Sequence, residues 1–379
     1  MNQQQQIEKR DVSLEVKDLK VQFHTYAGTV KALDGVDLTL YKREVLGLVG
    51  ESGCGKSVTA LAIAGLLPMN AQIVSGQIVL GGKDLLRENK NQVRIARLHD
   101  IALVFQDPAT YLNPVMSIGS QITEVFTGNL KYFKDELVQF RLDELEGKSI
   151  SENATTAGSS DEREKQELIG IKNGKRLSKR RGKKLAKRLA TEYLRLVKLP
   201  DPDKVLKMFP FELSGGMRQR AMIAMALVRR PKVLLADEIT TALDVTVQAQ
   251  ILELLKELRD RIDSSIILIT HDLGVVAETC DRVAVMYAGN IVEVATVEEI
   301  FKNPLHPYTK GLFAAIPRLD TSKDELESIS GSVPNLIFPP SGCRFHPRCP
   351  SAFERCPLVK PPLIEVSPGH TVECLLYGG

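Results

Sequence analysis

A glycine-rich loop, GESGCGKS at residues 50–57, joins the apolar run Val45–Val49 to an apolar helical pattern that extends to about Leu67. A strand, a loop and a helix in this order predict a phosphate-binding loop, because the glycines let backbone amides point at phosphate oxygens and the helix presents its positive end. The spacing also predicts that Lys56 reaches the β and γ phosphates and that Ser57 ligates Mg²⁺. The residues expected to contact a nucleotide here are Gly50, Glu51, Ser52, Gly53, Cys54, Gly55, Lys56, Ser57 and Val58.

An acidic pair stands at the end of a second apolar run. Asp237 and Glu238 follow Val233–Ala236, and Asp237 lies 181 residues beyond Lys56. Ligands of open α/β sheets bind at the carboxyl ends of strands. We therefore expect Asp237 to hold Mg²⁺ through water and Glu238 to act as the general base for an attacking water. Taken alone, such a pair would usually be only a helix cap.

The octapeptide LSGGMRQR at residues 213–220, placed before the acidic strand end, separates this chain from other proteins with a phosphate loop. With it the chain resembles the ATP-binding cassette (ABC) ATPases, whose signature sequence it matches. The resemblance implies an α/β P-loop NTPase cassette, with a RecA-like core, an antiparallel β subdomain and an α-helical subdomain. It also implies that Ser214, Gly215, Gly216 and Gln219 close over ATP held by the phosphate loop of a second cassette.

The remaining positions of the ABC family fall in order along the chain. By resemblance, Gln106 ligates Mg²⁺ and senses the membrane partner, Asp244 belongs to a loop that signals between subunits, and His271 contacts the γ-phosphate and orients the water. Asp244 also suits the cap of the helix that follows it. Tyr26 resembles the aromatic residue that stacks on adenine, with Phe23 as a competing candidate. The catalytic residues implied are Lys56, Gln106, Glu238 and His271.

Composition shifts along the chain suggest its domain organisation. Residues 14–49 alternate like a small antiparallel sheet, and the segments after residue 213 alternate like a parallel sheet with crossover helices. A charged insertion lies at about 130–190, and ten of the seventeen residues 172–188 are Lys or Arg, which predicts a flexible or marginally ordered segment. We expect its basic face to be solvated and turned toward acidic neighbours at 161–167, rather than to bind lipid or nucleic acid. The predicted domains are an ABC ATP-binding domain at 11–300, with a helical subdomain at about 107–230, and a C-terminal extension at 301–379.

Two segments of the tail narrow the resemblance. NPLHPYT at 303–309 and CRFHPRCP at 343–350 are similar to the C-terminal extension of oligopeptide and dipeptide permease ATPases, and in part to that of nickel permease ATPases. Four soft ligands in one short module suit a [4Fe–4S] cluster or a tetrahedral zinc. Because related permease subunits carry a cluster, we expect [4Fe–4S], with zinc or four unligated thiols as the alternatives. The cysteines concerned are Cys343, Cys349, Cys356 and Cys374.

These features together predict the ATP-hydrolysing subunit of a membrane ABC importer of oligopeptides or dipeptides. A nickel or other metal-ion importer is one alternative, and a soluble ABC ATPase of DNA repair or translation is another. The resemblance implies as partners a second cassette, two transmembrane permease subunits and an extracytoplasmic peptide-binding protein, and no nucleic acid. Residues 1–6 lack a secretory pattern and no apolar run approaches the ~20 residues of a membrane span. We therefore expect peripheral attachment to the cytoplasmic face of the cell membrane.

Overall fold

The computed structural model describes residues 11–147, 159–241, 243–315 and 329–378. These residues form two compact units. The first unit comprises the chain through Leu103, residues 231–238 and the chain from Asp263 onward, and the second comprises residues 104–230 and 239–262.

The first unit contains strands of two sheets. The strands of the described chain are β1 (Val12–Thr25), β2 (Gly28–Tyr41), β3 (Val45–Val49), β4 (Ala71–Leu80), β5 (Lys83–Asp84), β6 (Ile101–Val104), β7 (Val233–Asp237), β8 (Ser265–Ile269), β9 (Arg282–Tyr287), β10 (Asn290–Thr296), β11 (Leu363–Ser367) and β12 (His370–Glu373). One sheet has the order β2-β1-β4-β5 and its neighbouring strands are antiparallel. The other has the order β11-β12-β10-β9-β3-β8-β7-β6.

The centre of the larger sheet is parallel. Strand β3 pairs in parallel with β8 and β9, and β7 pairs in parallel with β8. Every residue of β3 and β8 is buried. Parallel strands covered on both faces lack polar alternation, and for this reason their sequences are short continuous apolar runs.

Strands β1 and β2 have 14 residues each. Helices complete the architecture. The helices of the described chain are α1 (Lys56–Ala64), α2 (Lys90–His99), α3 (Pro108–Tyr111), α4 (Ile118–Thr127), α5 (Leu130–Leu145), α6 (Ser159–Lys172), α7 (Lys179–Leu196), α8 (Pro202–Val205), α9 (Gly215–Leu227), α10 (Val245–Ile262), α11 (Leu273–Thr279), α12 (Val297–Lys302) and α13 (Pro307–Ala314). Short 3₁₀ turns occur at Pro210–Glu212 and His346–Arg348.

Two apolar clusters in the first unit lie on opposite faces of the large sheet. Alternate residues of β9 divide between them: Ala284 and Met286 join the cluster with β1 and β2, and Val283, Val285 and Tyr287 join the cluster with the C-terminal extension. Successive side chains of a strand point to opposite faces. The C-terminal extension therefore supplies part of the second cover of the sheet, together with Leu273 and Val276 of α11.

Three helices, α5, α6 and α7, form most of the charged insertion where it is described, so the prediction of a flexible segment is wrong for these helices. Residues 148–158 lie outside the described residues. Arg181 of α7 pairs with Glu167 and lies 3.8 Å from Glu164 on α6, and Arg188 lies 3.8 Å from Glu144 on α5. The expected pairing of the basic face with acidic neighbours at 161–167 is confirmed for Arg181.

Helix α7 also buries an apolar stripe within the second unit. Leu185, Leu189 and Tyr193 recur every four residues and are at most 4% exposed. Residues at this spacing share one helix face. The average composition of the insertion does not reveal this apolar stripe, because the opposite face of α7 carries the Lys and Arg residues.

None of the helices in the described part of the chain combines the length and apolarity needed to cross a lipid bilayer. The helices α7 and α10 reach 18 residues each, and both contain several charged residues.

Candidate nucleotide-binding site

The phosphate loop of residues 50–57 runs from the end of β3 into the first turn of α1. Three glycines have positive φ, 152° at Gly50, 79° at Gly53 and 112° at Gly55, a region that L side chains avoid. A Cβ on Gly50 would lie 2.1 Å from the carbonyl oxygen of Met286. The loop therefore needs glycine for conformation and for space.

Lys56 is 5% exposed and lies under this loop. Its Nζ donates hydrogen bonds to the carbonyl oxygens of Gly50 at 2.7 Å and Glu51 at 3.0 Å. Cys54 packs into the apolar core, and burial raises the pKa of its thiol. Ser57 is exposed at the start of α1. The loop thus presents a hydroxyl outward and keeps its ammonium group next to its own backbone.

The strand register brings the acidic pair to the same edge of the sheet as the loop. Leu48 of β3 and Asp237 of β7 both pair with Ile269 of β8, so the three strands end level. The N–H of Glu238 donates to the carbonyl of Ile269 at 2.9 Å. His271 follows two residues after β8 ends, and the structure therefore places these predicted residues of the first unit together.

Asp237 has the properties of a magnesium ligand. Burial raises the pKa of Asp237, a hydrogen bond from Ser57 opposes this, and the Glu238 carboxylate raises it further. Within the described residues its Oδ1 atom is buried without a hydrogen-bond partner. Leaving such a group unsatisfied costs about 1–3 kcal/mol, and Mg²⁺ prefers oxygen ligands. Asp237 and the Ser57 hydroxyl therefore fit this ion.

Glu238 is held in a strained conformation beside His271. Its φ is 46°, which is unusual for a residue other than glycine. Its Oε1 lies 3.3 Å from Nδ1 of His271. Strained residues cluster at functional sites, where the surrounding structure enforces them. Here the hydrogen bond to β8 fixes the backbone and aims the carboxylate at the histidine.

The signature residues belong to the second unit. Ser214 caps α9, and its Oγ accepts a hydrogen bond from the N–H of Met217 at 3.3 Å. Gly215 and Gly216 open the helix. A Cβ on Gly216 would lie 2.7 Å from Cγ1 of Val247 on α10, whereas one on Gly215 would meet its nearest atom at 3.8 Å. Gly216 is therefore required for close packing of two helices.

Three further predicted residues lie in the second unit. Asp244 accepts a hydrogen bond from the N–H of Val247 at 2.9 Å, so its capping role is confirmed. Gln219 is 1% exposed, and Gln106 is exposed two residues after β6 ends. The roles of Gln106, Gln219 and Asp244 toward ATP stay predictions.

The two aromatic candidates for adenine stacking differ in environment. Tyr26 lies in the turn between β1 and β2 and is fully exposed. Phe23 is partly buried against the apolar core of the first unit. Exposure makes Tyr26 the aromatic side chain that is available to a base, and Phe23 has a packing role.

The cysteines of the tail line one narrow cavity together with His306 and His346. Burial raises the pKa of Cys343 to about 11 and also raises the pKa values of Cys349 and Cys374. Cysteine binds a metal ion as the deprotonated thiolate. In the described part of the chain no three His, Cys, Asp or Glu side chains are arranged to hold a metal ion. Among the described residues no metal site is formed, so the expected [4Fe–4S] cluster stays a prediction. The cavity cysteines are Cys343, Cys349, Cys356 and Cys374.

Comparison with known proteins identifies the family. Residues 33–241, which include the phosphate loop, the signature and the acidic pair, match the ABC transporter family. The chain belongs to the ABC transporter family. Residues 292–356 of this ABC transporter chain match the C-terminal region of oligopeptide/dipeptide transporters.

Sequence matches to relatives cover nearly the whole length of this ABC transporter chain. It is 45% identical to the dipeptide transport ATP-binding protein DppD of Bacillus subtilis, over 96% of this chain and 94% of that protein. It is 43% identical to the oligopeptide transport ATP-binding protein OppD of Salmonella typhimurium, over 96% and 93%. These matches show the family independently of the short motifs.

Solved structures confirm the predicted α/β cassette fold of this ABC transporter chain. A bacterial ABC transporter cassette superposes with a TM-score of 0.53 at 22% identity, over 75% of this chain and 98% of that one. A subunit of the cbiONQ ABC transporter complex of Clostridium perfringens gives 0.54 at 24% identity, over 77% and 92%. At these identities the comparison concerns the fold alone.

Sequence reasoning missed the residue that anchors the C-terminal extension. Glu293 is fully buried in β10, accepts the N–H groups of Leu305 and His306 at 2.8 Å each, and pairs with His370 at 2.8 Å. Although burial opposes it, these hydrogen bonds lower the pKa of Glu293. The signal was a single glutamate inside the apolar strand sequence NIVEVAT.

Sequence reasoning also missed two contacts from the extension to the phosphate loop. Arg348 pairs with the Glu51 carboxylate, and the Tyr308 hydroxyl accepts a hydrogen bond from the Glu51 N–H. Both partners lie in the tail motifs, but nothing in those motifs specifies which residue they contact.

Proposed function

We propose that this chain is the ATP-hydrolysing subunit of an ABC importer of oligopeptides or dipeptides. The observation that carries the proposal is that the phosphate loop, the acidic pair and His271 meet at one sheet edge in a chain that matches peptide-transport ATP-binding proteins over 96% of its length. The named relatives are peptide or dipeptide proteins, which favours peptides over the nickel alternative.

The proposed reaction is hydrolysis of ATP. A water oxygen forms a bond to the γ-phosphorus, the bond from this phosphorus to the β–γ bridging oxygen breaks, and ADP leaves with the electron pair. Glu238 accepts the proton of the attacking water, and His271 orients that water. The 3.3 Å contact between the two side chains supports a shared role. Lys56 and the loop amides bind the phosphates that carry the developing charge.

Ser57, Asp237 and Gln106 are the proposed ligands of Mg²⁺, which neutralises phosphate charge when bound. For Asp237, the buried Oδ1 atom and the neighbouring Ser57 support this role. Gln106 enters by family resemblance.

The proposed working unit is a pair of cassettes on two membrane permease subunits. The signature residues Ser214, Gly215, Gly216 and Gln219 of one cassette would close over ATP on the other, with Asp244 signalling between them. Closing and reopening would drive the permease, and a peptide-binding protein would deliver cargo from outside. We place the chain on the cytoplasmic face of the membrane. The proposed domains are the ABC domain at 11–300, with the charged insertion at about 130–190, and the extension at 301–379.

We also propose that the four tail cysteines bind a [4Fe–4S] cluster, with zinc as the alternative. Their support is the donor set, since four thiols line one cavity. Binding would require deprotonation of thiols whose pKa values burial raises. Metal analysis of the anaerobically purified chain, with its absorption near 400 nm, tests this proposal. A preparation that contains neither iron nor zinc at a stoichiometric level would refute the proposal.

The transport proposal is tested on the assembled complex, isolated through a tag on this chain. We expect phosphate release to rise when di- or oligopeptide and the binding protein are added, and to be unaffected by Ni²⁺. Stimulation by Ni²⁺ but not by peptide would move the assignment to the metal-ion branch.

A further inference from the structure

The phosphate loop is held from outside the ABC domain by a three-residue contact, which we call the Glu51 clamp: Glu51, Tyr308 and Arg348. Glu51 is the second residue of the loop. Arg348 Nη1 donates to Glu51 Oε2 at 2.7 Å and Nη2 donates to Oε1 at 3.0 Å, a bidentate pair. The N–H of Glu51 donates to the Tyr308 hydroxyl at 2.9 Å. The clamp therefore binds both the side chain and the backbone of one loop residue.

Arg348 is itself fixed by the extension. Its side chain is 7% exposed. Nε donates to the carbonyl of Ser330 at 2.9 Å, and Nη2 donates to those of Ile329 and Gly331 at 3.3 Å each. A guanidinium with this many partners has a single orientation. Its position is thus set by the tail, and it transmits that position to Glu51.

Tyr308 is fixed as firmly. It is fully buried at the start of α13, and its ring lies 4.6 Å from that of Tyr287 and 5.4 Å from that of Phe345. Burial raises the pKa of Tyr308 well above its usual range, so the hydroxyl stays neutral. It accepts from Glu51 without introducing charge near the loop.

Two properties of the phosphate loop explain why such a support would favour ATP binding. Its glycines at 50, 53 and 55 allow many backbone conformations, and ordering them costs entropy that ATP binding would otherwise have to supply. A carboxylate at Glu51 next to a phosphate site would also repel a triphosphate. Arg348 both orders the loop and neutralises this charge.

We infer that Arg348 and Tyr308 are positioning residues for ATP binding, so that the C-terminal extension sets the nucleotide affinity of the phosphate loop through Glu51. The inference rests on the proposed ATPase function. It gives the extension a task in the ATP site that does not depend on a metal at the cysteines.

The test measures the dissociation constant of ATP and the maximal hydrolysis rate for the full chain in its complex. Arg348→Ala should weaken ATP affinity about tenfold, the size expected for loss of a charge-assisted hydrogen-bonded pair, and change the rate at saturating ATP far less. Tyr308→Phe, which removes only the hydroxyl, should weaken affinity about threefold. Adding Glu51→Gln to Arg348→Ala should recover part of the affinity, because it removes the unpaired carboxylate.

Arg282→Ala provides the matched control. Arg282 is also mostly buried and pairs with Glu44 at 3.1 Å, at the opposite end of β3 from the loop. The Arg282→Ala variant should lose thermal stability to an extent comparable with Arg348→Ala, while its ATP affinity stays unchanged. Equal loss of affinity in both Arg variants, or wild-type affinity in Arg348→Ala and Tyr308→Phe, would overturn the inference. Failure of the wild-type complex to bind ATP at all would instead refute the proposed function.

Discussion

His271 Nδ1 lies 3.3 Å from Oε1 of Glu238, and the Glu238 side chain is 20% exposed whereas that of His271 is 62% exposed. The carboxylate is thus held inside the sheet edge and the imidazole stands outside it. Glu238 keeps a φ of 46° and a backbone hydrogen bond to β8. This geometry fits a fixed base with a more exposed partner that is accessible to a substrate.

Replacement of Glu238 by Gln should separate binding from chemistry. The amide keeps the shape of the side chain but accepts no proton, so ATP should still bind while phosphate release falls by about 10²–10⁴-fold, the contribution of a general base. Nucleotide-binding and phosphate-release assays on the same preparation check this. Glu278→Gln changes an exposed carboxylate of α11 and should leave both unchanged. Normal turnover in Glu238→Gln would refute the base assignment.

Gly216→Ala should destabilise the second unit. The new Cβ would lie 2.7 Å from Cγ1 of Val247, a stiff β-branched side chain, and such overpacking costs about 1–3 kcal/mol. Gly215→Ala meets nothing closer than 3.8 Å and, since alanine favours helices, should be neutral or slightly stabilising. Thermal unfolding of the two variants compares them. Val247→Ala should restore much of the loss in Gly216→Ala, and an undiminished loss in that double variant would contradict the packing explanation.

The C-terminal extension should lose stability as the pH falls toward 4. His306 is buried and its Nδ1 accepts the N–H of Tyr308 at 3.0 Å. Burial lowers the pKa of His306 from 6.5 to about 4. Between these values the unfolded chain binds more protons, so stability rises with pH, by at most about 1.4 kcal/mol per pH unit.

His306→Asn should reduce this pH dependence, because asparagine still caps α13 but does not titrate. Thermal midpoints measured from pH 4.5 to 7.5 give the slopes. The same replacement at the exposed His24 serves as the control and should keep the wild-type slope. A wild-type slope in His306→Asn would show that other groups cause the acid sensitivity.

Tyr26→Ala should weaken ATP binding without affecting stability. Stacking of an aromatic side chain on a base contributes about 1–3 kcal/mol, which predicts at least a fivefold or so loss of affinity. Phe23→Ala should instead lower the unfolding temperature, because Phe23 packs against the core. Binding and unfolding measured on both variants decide between the candidates, and the opposite pattern would assign adenine stacking to Phe23.

The sequence was most informative where function depends on contiguous residues. The loop at 50–57 and the pair Asp237–Glu238 were predictable because each is a local motif at the end of an apolar strand, and parallel strands end at one edge. The capping role of Asp244 was predictable because a helix cap depends only on residues within one turn. These features need no knowledge of distant contacts.

Distant contacts and charge pairing explain what the sequence did not reveal. Arg348 contacts Glu51 across 297 residues of the chain, and no local sequence pattern specifies such a contact. The charged insertion looked unstructured because its charges are segregated along the chain, yet Arg181 is paired with Glu167 on the neighbouring helix. Composition gives only the number of charged residues, whereas the fold depends on which of these residues form ion pairs.

The most direct test is ATP-driven uptake of labelled peptide by proteoliposomes that contain the assembled transporter. With Lys56→Ala in this chain, the loop loses the ammonium group that binds the phosphates, and uptake should fall by at least about 100-fold while the complex stays assembled. Uptake at the wild-type rate in that variant would contradict the claim that this phosphate loop powers peptide import.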